Sequence, residues 1–201
     1  MKEKAIFVTG MARTGTTIMT HTLASHPDIS TYIGGREAYL LENDYMSSSR
    51  GIEYPKEIKK IIKRANDKNK FALFKRPWVH KYPEEFKKYF PNSYFILMTR
   101  SCQETLDSWK RFGGGHEKLN KDVYEKHLDY YDEFIHILGE DRCLLISLED
   151  MISNKEKVFK GIAKMIGIDF KFNLTAIGEN RHWNLNTFAI IYGNALREIQ
   201  K

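Results

Sequence analysis

The stretch AIFVTGMARTGTT, from Ala5 to Thr17, is the most informative part of the sequence. Its first residues form an apolar run, as expected for a strand that is covered on both faces. Gly10 and Gly15 then bracket a short turn, and a helical pattern begins at Thr16. Such a turn lets backbone N–H groups at a helix start approach an anion closely, and threonine hydroxyls add donors. We therefore predict an anion-binding loop between a strand and a helix; the alternative is a glycine turn that binds no ligand.

The alternation of short apolar runs and longer helical patterns continues along the chain and predicts an α/β fold with a parallel sheet. The predicted strands are Ala5–Thr9, Ile29–Ile33, Phe71–Lys75, Tyr94–Thr99 and Cys143–Leu148. The predicted helices are Thr16–Ser25, Glu37–Asn43, Pro55–Ala65, Pro83–Tyr89, Cys102–Phe112, Asp122–Leu138, Asn154–Ile166 and Thr187–Ile199. One helical stripe is interpreted as core and consists of Val123, His127, Tyr131, Phe134 and Leu138.

Length and composition restrict the class of protein. The 201 residues contain no evident linker, so we expect a single domain over residues 1–201. The net charge of +6 is 32 Lys and Arg minus 26 Asp and Glu, which is too small to indicate a nucleic-acid partner and fits an anionic small molecule. The apolar run from Ala5 to Val8 is too short for a signal peptide, so we expect a cytoplasmic location and no membrane span. No residues have metal-ligand spacing, and no metal is expected.

The predicted loop differs from the loop of proteins that bind nucleoside triphosphates. In those proteins a lysine follows the second glycine and reaches the outer phosphates, and the next Ser or Thr holds magnesium. Here Thr16 occupies the lysine position, and the loop's cation is Arg13. A small-molecule or nucleoside kinase that uses ATP and magnesium is therefore an alternative that lacks its most important side chain.

The loop resembles the 5′-phosphosulfate loop of sulfotransferases that use 3′-phosphoadenosine-5′-phosphosulfate (PAPS). It is most similar to the branch with Arg in this loop, which includes tyrosylprotein and carbohydrate sulfotransferases. The resemblance implies a P-loop-like fold whose five parallel strands have the order 2-3-1-4-5, flanked by helices. It also implies that the 5′-phosphosulfate is held by the loop, through Arg13, Thr14, Gly15, Thr16 and Thr17. Arg13 is further expected to act in catalysis, as a fixed cation that, like Lys75, can stabilise developing charge.

A second motif follows the predicted strand over 94–99. Arg100 comes directly after that strand, and Ser108 follows eight positions later on the next helix. The pair resembles the family's Arg and Ser that grip the donor's 3′-phosphate. A guanidinium suits this task because its fork of N–H groups makes paired hydrogen bonds to a phosphate. The residues between them, 101–104, depart from the family's usual Asp-Pro-Arg-Asp run.

Two further resemblances concern catalysis. Lys75 in Lys-Arg-Pro, at the end of a predicted strand, is similar to a family lysine that brings a cation to the transferring sulfuryl group; a solvated lysine is the alternative. Glu37 in Gly-Gly-Arg-Glu is similar to the general base of tyrosylprotein sulfotransferases, and the alternative is a surface residue that starts a helix. His80 and His116 are rival bases, and His21 is a third that is expected to face the core.

The resemblance implies transfer of a sulfuryl group from PAPS to a hydroxyl, or an amine, of an acceptor. A small molecule, a carbohydrate or a peptide are all open as acceptors, and the oligomeric state is open as well. A non-catalytic nucleotide-binding module is the second alternative to this function. The adenine pocket has no residue-by-residue match, and Trp109, Arg181 and Trp183 are its candidates.

Overall fold

Apolar runs that are buried on both faces build a five-stranded parallel sheet at the centre of the protein. The computed structural model describes residues 4–30, 32–33, 36–37, 55–111, 119–175 and 177. Its strands are β1 (Ala5–Gly10), β2 (Ile29–Ser30), β3 (Tyr32–Ile33), β4 (Arg36–Glu37), β5 (Phe71–Lys75), β6 (Tyr94–Thr99) and β7 (Cys143–Ser147). The main sheet has the order β2-β5-β1-β6-β7. Numbered within that sheet, this is 2-3-1-4-5, so the predicted α/β domain and its strand order are confirmed.

Helices cover both faces of the sheet. They are α1 (Thr16–Ala24), α2 (Pro55–Asn66), α3 (Pro83–Tyr89), α4 (Cys102–Arg111), α5 (Lys121–Leu138), α6 (Leu148–Ser153) and α7 (Lys155–Ile166), and a 3₁₀ turn spans Val79–Lys81. Six of them match predicted helices to within a residue or so at each end. The sequence analysis missed α6, because six residues are too few to show a helical period. Ser147 caps this helix by accepting a hydrogen bond from the Asp150 amide, so the last strand ends before Leu148.

Strand β1 carries the centre of the core. Its partners in parallel register are β5 on one side and β6 on the other. The Phe7 ring lies between the rings of Phe74 and Phe95, and all three rings are buried. Its centroid is 4.9 Å from that of Phe74 and 5.6 Å from that of Phe95. Burying one such side chain contributes about 1.5–3 kcal/mol. The core thereby fixes the end of β1, from which the predicted anion loop begins.

The segment around Glu37 differs from the prediction. The expected strand over 29–33 is divided: β2 joins the main sheet, whereas β3 pairs antiparallel with β4 in a separate two-stranded sheet. Glu37 therefore lies in a strand and does not begin a helix. The sequence between these two strands is Gly-Gly, which favours a hairpin connection, and this signal was overlooked. The rest of the helix predicted over 37–43, and the helix predicted over 187–199, lie outside the described residues.

No helix among the described residues combines the length and the apolar character that crossing a bilayer demands.

Gly10 is a position where only glycine fits. Its φ is +149°, and a Cβ built there would lie 2.3 Å from the carbonyl oxygen of Met98 on the neighbouring strand. Gly161, in the exposed middle of α7, has nothing within 4 Å of an added Cβ.

We expect opposite effects on stability from the same substitution at these two glycines. Gly10→Ala should lower the free energy of unfolding by at least about 2 kcal/mol, because backbone atoms must separate. Gly161→Ala should raise it by about 0.5–1 kcal/mol, because alanine is the better helix former. Urea unfolding of the two variants measures both changes. Equal stability of Gly10→Ala and the wild type would contradict the close approach of β1 and β6.

Candidate active site

Lys75, the glycine loop and Arg100 lie at the carboxyl ends of three adjacent strands, β5, β1 and β6. Lys75 is the last residue of β5, the loop over 10–15 follows β1, and Arg100 directly follows β6. In a parallel sheet these ends share one edge, where such folds bind their ligands. The strand order alone therefore brings together motifs that are up to 87 residues apart.

The loop is held in a conformation that directs its backbone toward an anion. Gly15 has a left-handed φ of 93° and precedes α1, whose first hydrogen bond runs from the Met19 amide to the Gly15 carbonyl. The buried Thr14 hydroxyl donates to the Met11 carbonyl at 2.7 Å, which closes the loop on itself. The amides at the start of α1 are a ready site for a negative charge, because the N-terminal end of a helix carries partial positive charge.

Arg13 connects the loop to the second motif. Its Nε donates to the Ser108 hydroxyl at 3.2 Å, across 95 positions of sequence. Its φ is +74°, a conformation that costs a non-glycine residue of order 1 kcal/mol or more and persists only where the surroundings impose it. Burial of part of the guanidinium lowers the pKa of Arg13, and the positive charges of Arg100 and Arg111 lower it further. Like charges gathered in this way favour a bound anion.

Arg100 is oriented from two sides. Its guanidinium forms an ion pair with Glu104, one turn along α4, and its Nη1 lies 3.5 Å from the carbonyl oxygen of Arg13. The Tyr124 hydroxyl donates to the Arg100 carbonyl at 2.6 Å and thereby anchors the backbone at the end of β6. Ser108, two turns into α4, is buried, and Arg13 contacts both Ser108 and Arg100. The structure thus brings together both residues of the predicted phosphate grip.

Lys75 lies on the other side of the loop. Its Nζ donates to the Thr17 hydroxyl at 3.0 Å, and the residue is only 9% exposed. His21, one turn further along α1, is buried, as expected from the sequence. Burial lowers the pKa of His21 to about 4, and the nearby charge of Lys75 contributes to the shift. A lysine and a neutral imidazole therefore line this side of the loop.

The structure argues against His80, one of the rival bases. His80 has no exposed surface, and its Nε2 lies 2.7 Å from Nδ1 of His127. Burial lowers the pKa of His80 well below its ordinary value, and His127 and Lys81 lower it further. An acceptor hydroxyl cannot reach a side chain that is fully enclosed, which argues against His80 as a base. His116 lies outside the described residues, and Glu37 is described only by its place in β4.

The sequence pattern did not single out one cation near the site, and it showed only the core role of one aromatic residue. Arg111 follows Ser108 by three positions on α4, a spacing that puts both on one face of the helix and was a usable signal. Tyr131 was interpreted as core, and its ring is indeed buried, but its hydroxyl bonds to the backbone of Met11 and Met98. Within the described ranges, no group of three or more His, Cys, Asp or Glu side chains is placed to hold a metal ion.

The sheet order and the cations gathered at its carboxyl edge are those of an α/β domain that binds phosphate-like anions. Comparison with known families narrows this class. The profile of the sulfotransferase family matches residues 5–171, and the chain belongs to that family.

Individual relatives are distant in sequence. Protein-tyrosine sulfotransferase 2 of Gallus gallus is 23% identical, and the match covers 82% of this chain and 51% of the relative. The chain thus spans about half the length of that curated relative. The sulfotransferase domain from the curacin biosynthetic pathway has a TM-score of 0.65 at 16% identity. The match covers 88% of this chain and 78% of the curacin domain. A mouse sulfotransferase in complex with PAP (3′,5′-adenosine bisphosphate) has a TM-score of 0.50 at 14% identity. The match covers 85% of this chain and 61% of the mouse chain. At these identities the structural likeness establishes the fold.

Buried histidines should make the protein sensitive to acid. The pKa of His127, like that of His21, is lowered to about 4 by burial first and by neighbouring lysines second, whereas an unfolded histidine titrates near 6.5. Between these values the unfolded chain binds protons that the folded chain does not. The contribution of these histidines to the free energy of unfolding should therefore fall as the pH is lowered from about 6.5 toward 4.

Urea unfolding at a series of pH values measures this loss. His127→Gln should flatten the dependence, because one depressed pKa is removed. His136→Gln, at an exposed position of the same helix, is the matched control and should leave the slope unchanged. An identical slope for His127→Gln and the wild type would exclude His127 as a source of acid sensitivity.

Proposed function

We propose that this protein transfers the sulfuryl group of PAPS to a hydroxyl, or less readily an amine, of an acceptor. The observation that carries the proposal is the 3.2 Å hydrogen bond between Arg13 and Ser108, because it joins the loop to the second phosphate motif in a single cationic surface. A donor with one anionic group at each end of its ribose suits such a surface. Membership of the sulfotransferase family supports the same activity.

The donor's 5′-phosphosulfate would bind the amides of the loop and of the first turn of α1, over residues 14–17. Gly10 and Gly15 suit this role because backbone without side chains lets an anion approach closely. Arg100 and Ser108 would hold the 3′-phosphate. Arg13 lies between these two groups, so its charge would act on both phosphates, which extends the role predicted from the sequence alone.

The transfer itself needs a cation at the sulfuryl group and a base for the acceptor. Lys75, held beside the loop by Thr17, would offset the charge that develops on the bridging oxygen as its bond to sulfur breaks. The acceptor oxygen forms the new bond to sulfur, and 3′,5′-adenosine bisphosphate (PAP) leaves. Glu37 would take the acceptor's proton. By analogy with phosphoryl transfer, positioning and electrostatic stabilisation would supply most of the rate.

The relatives support parts of this proposal. The name of the chicken relative indicates a protein tyrosine as its acceptor, and the mouse structure contains PAP. For this chain we propose a hydroxyl of a small molecule, a carbohydrate or a peptide as acceptor. Arg13 supports the likeness to the branch with arginine in the loop. A cytoplasmic location stays a prediction.

A comparison of ligands separates the proposal from its two alternatives. A kinase should bind ATP with magnesium more tightly than PAP, but Thr16 stands where its loop lysine is needed. A non-catalytic module should bind PAP tightly and turn over no acceptor. Calorimetric titration with PAP and with ATP and magnesium, together with a radiolabelled PAPS transfer assay, distinguishes the three.

We expect Arg100→Ala and Ser108→Ala to weaken PAP much more than adenosine 5′-monophosphate (AMP), because only PAP carries the 3′-phosphate. Loss of a charge-assisted hydrogen bond should cost about 1.5–3 kcal/mol. Lys110→Ala removes an exposed charge from the same helix and is the matched control. Calorimetry with both nucleotides measures the affinities of the three variants and of the wild type. Equal losses for PAP and AMP would remove the 3′-phosphate assignment.

Substitution of the proposed base should affect turnover and spare donor binding. Glu37→Gln keeps the shape of the side chain but cannot accept a proton, so kcat should fall about 10²–10⁴-fold with little change in PAP affinity. Glu133→Gln, at an exposed position on α5, controls for loss of a carboxylate. Turnover is measured at saturating PAPS, beside His80→Asn and His116→Asn. A nearly unchanged Glu37→Gln beside an inactive histidine variant would transfer the role to that histidine.

A further inference from the structure

One phenolic oxygen joins the two halves of the proposed donor site. Tyr131, in the middle of α5, is completely buried. Its hydroxyl accepts a hydrogen bond from the Met11 amide at 2.9 Å and donates one to the Met98 carbonyl at 3.0 Å. Met11 is the first residue of the loop after Gly10, and Met98 precedes Arg100 by two residues. Helix α5 therefore connects the anion loop to β6, the strand that Arg100 follows.

Tyr131 bonds to the backbone at the point where the pairing of β1 with β6 ends. The last register pair between β1 and β6 is Gly10 with Met98, and the chain then leaves the sheet at Met11. Met11 is fully buried, so water cannot replace a lost partner of its amide. A buried amide without a partner carries the full cost of desolvation. The hydroxyl of Tyr131 continues the connection of the two strands beyond their last pair.

The same face of α5 holds two other strand ends. Tyr124, two turns before Tyr131, donates to the Arg100 carbonyl at 2.6 Å. His127, between them, contacts His80, which lies in the 3₁₀ turn after β5. The tyrosine hydroxyls and the histidine ring along α5 thus contact the segments that follow β1, β5 and β6. Burial raises the pKa of Tyr131 above its ordinary value, so its hydroxyl keeps the proton that it donates.

We propose that Tyr131 is a positioning residue of the donor site, which holds the anion loop at a set distance from Arg100 and Ser108. The inference rests on the proposed function, because the ligand that spans both halves of the site is PAP. Tyr131 is completely buried, so it would not contact the donor itself. Its effect reaches the ligand through the backbone of Met11 and of Met98.

The proposal predicts a specific pattern of affinities. Tyr131→Phe keeps the packed ring and removes only the bridging oxygen. PAP, which needs both halves of the site in register, should bind about tenfold more weakly. AMP, which needs the loop alone, should lose less. The advantage of PAP over AMP should therefore shrink, and a loss of stability alone would not change that ratio.

The experiment compares Tyr131→Phe with Phe134→Leu, which destabilises the same buried face of α5 without touching either strand end. Tyr124→Phe is a second comparison, because it frees the Arg100 carbonyl and leaves the loop bonded. Calorimetry with PAP and AMP gives the affinity ratios. Hydrogen exchange of peptides over residues 11–17 measures the mobility of the loop. The exchange rate should rise in Tyr131→Phe and stay near the wild-type rate in Phe134→Leu.

Each outcome decides one of the two proposals. If wild-type protein binds no PAP, the proposed function fails, and loop exchange alone then decides whether Tyr131 holds the loop. If PAP binds and Tyr131→Phe retains both its affinity and its ratio to AMP, the positioning role is overturned. The role is also overturned if Phe134→Leu shrinks the ratio as much as Tyr131→Phe does. Unchanged loop exchange in Tyr131→Phe overturns it as well.

Discussion

The close approach of β1 and β6 is the constraint from which the site follows. Gly10 faces the Met98 carbonyl at a distance that leaves no room for a Cβ, so the loop begins directly beside the strand that Arg100 follows. The position of β1 between β5 and β6 then sets Lys75 on one side of the loop and Arg100 on the other. Changing this pairing would separate charges that only the sheet brings together.

The cations at this edge are held against their own repulsion. Partial burial, and then the charges of Arg100 and Arg111, lower the pKa of Arg13, which also adopts a backbone conformation that is unfavourable for a non-glycine residue. Contacts with Ser108 and Glu104 offset part of this cost in the protein itself. A doubly charged phosphate would offset more of it, because it interacts with several guanidinium groups at once. The arrangement exchanges some stability for affinity toward an anion.

Helix α5 provides the support that the sheet lacks. Parallel strands end without a partner for the groups that leave the ladder, and Met11 and Met98 are fully buried here. Tyr124 and Tyr131 satisfy three of them from outside the sheet. The buried pair of His80 and His127 fills the adjoining space at the price of stability in acid.

The sequence by itself determined the local elements: the strand, loop and helix over 5–24, the apolar strands, and the positions of Arg100 and Ser108 after one of them. These signals are local, because hydrophobic period, glycine placement and capping act within a few residues. The strand order came from the likeness of the motifs to a known family. Only the tertiary structure decided that Arg13 bonds to Ser108 and that the Tyr131 hydroxyl joins Met11 to Met98. These contacts connect residues up to 120 positions apart, and the pairing depends on how the sheet and α5 pack, which no local pattern encodes.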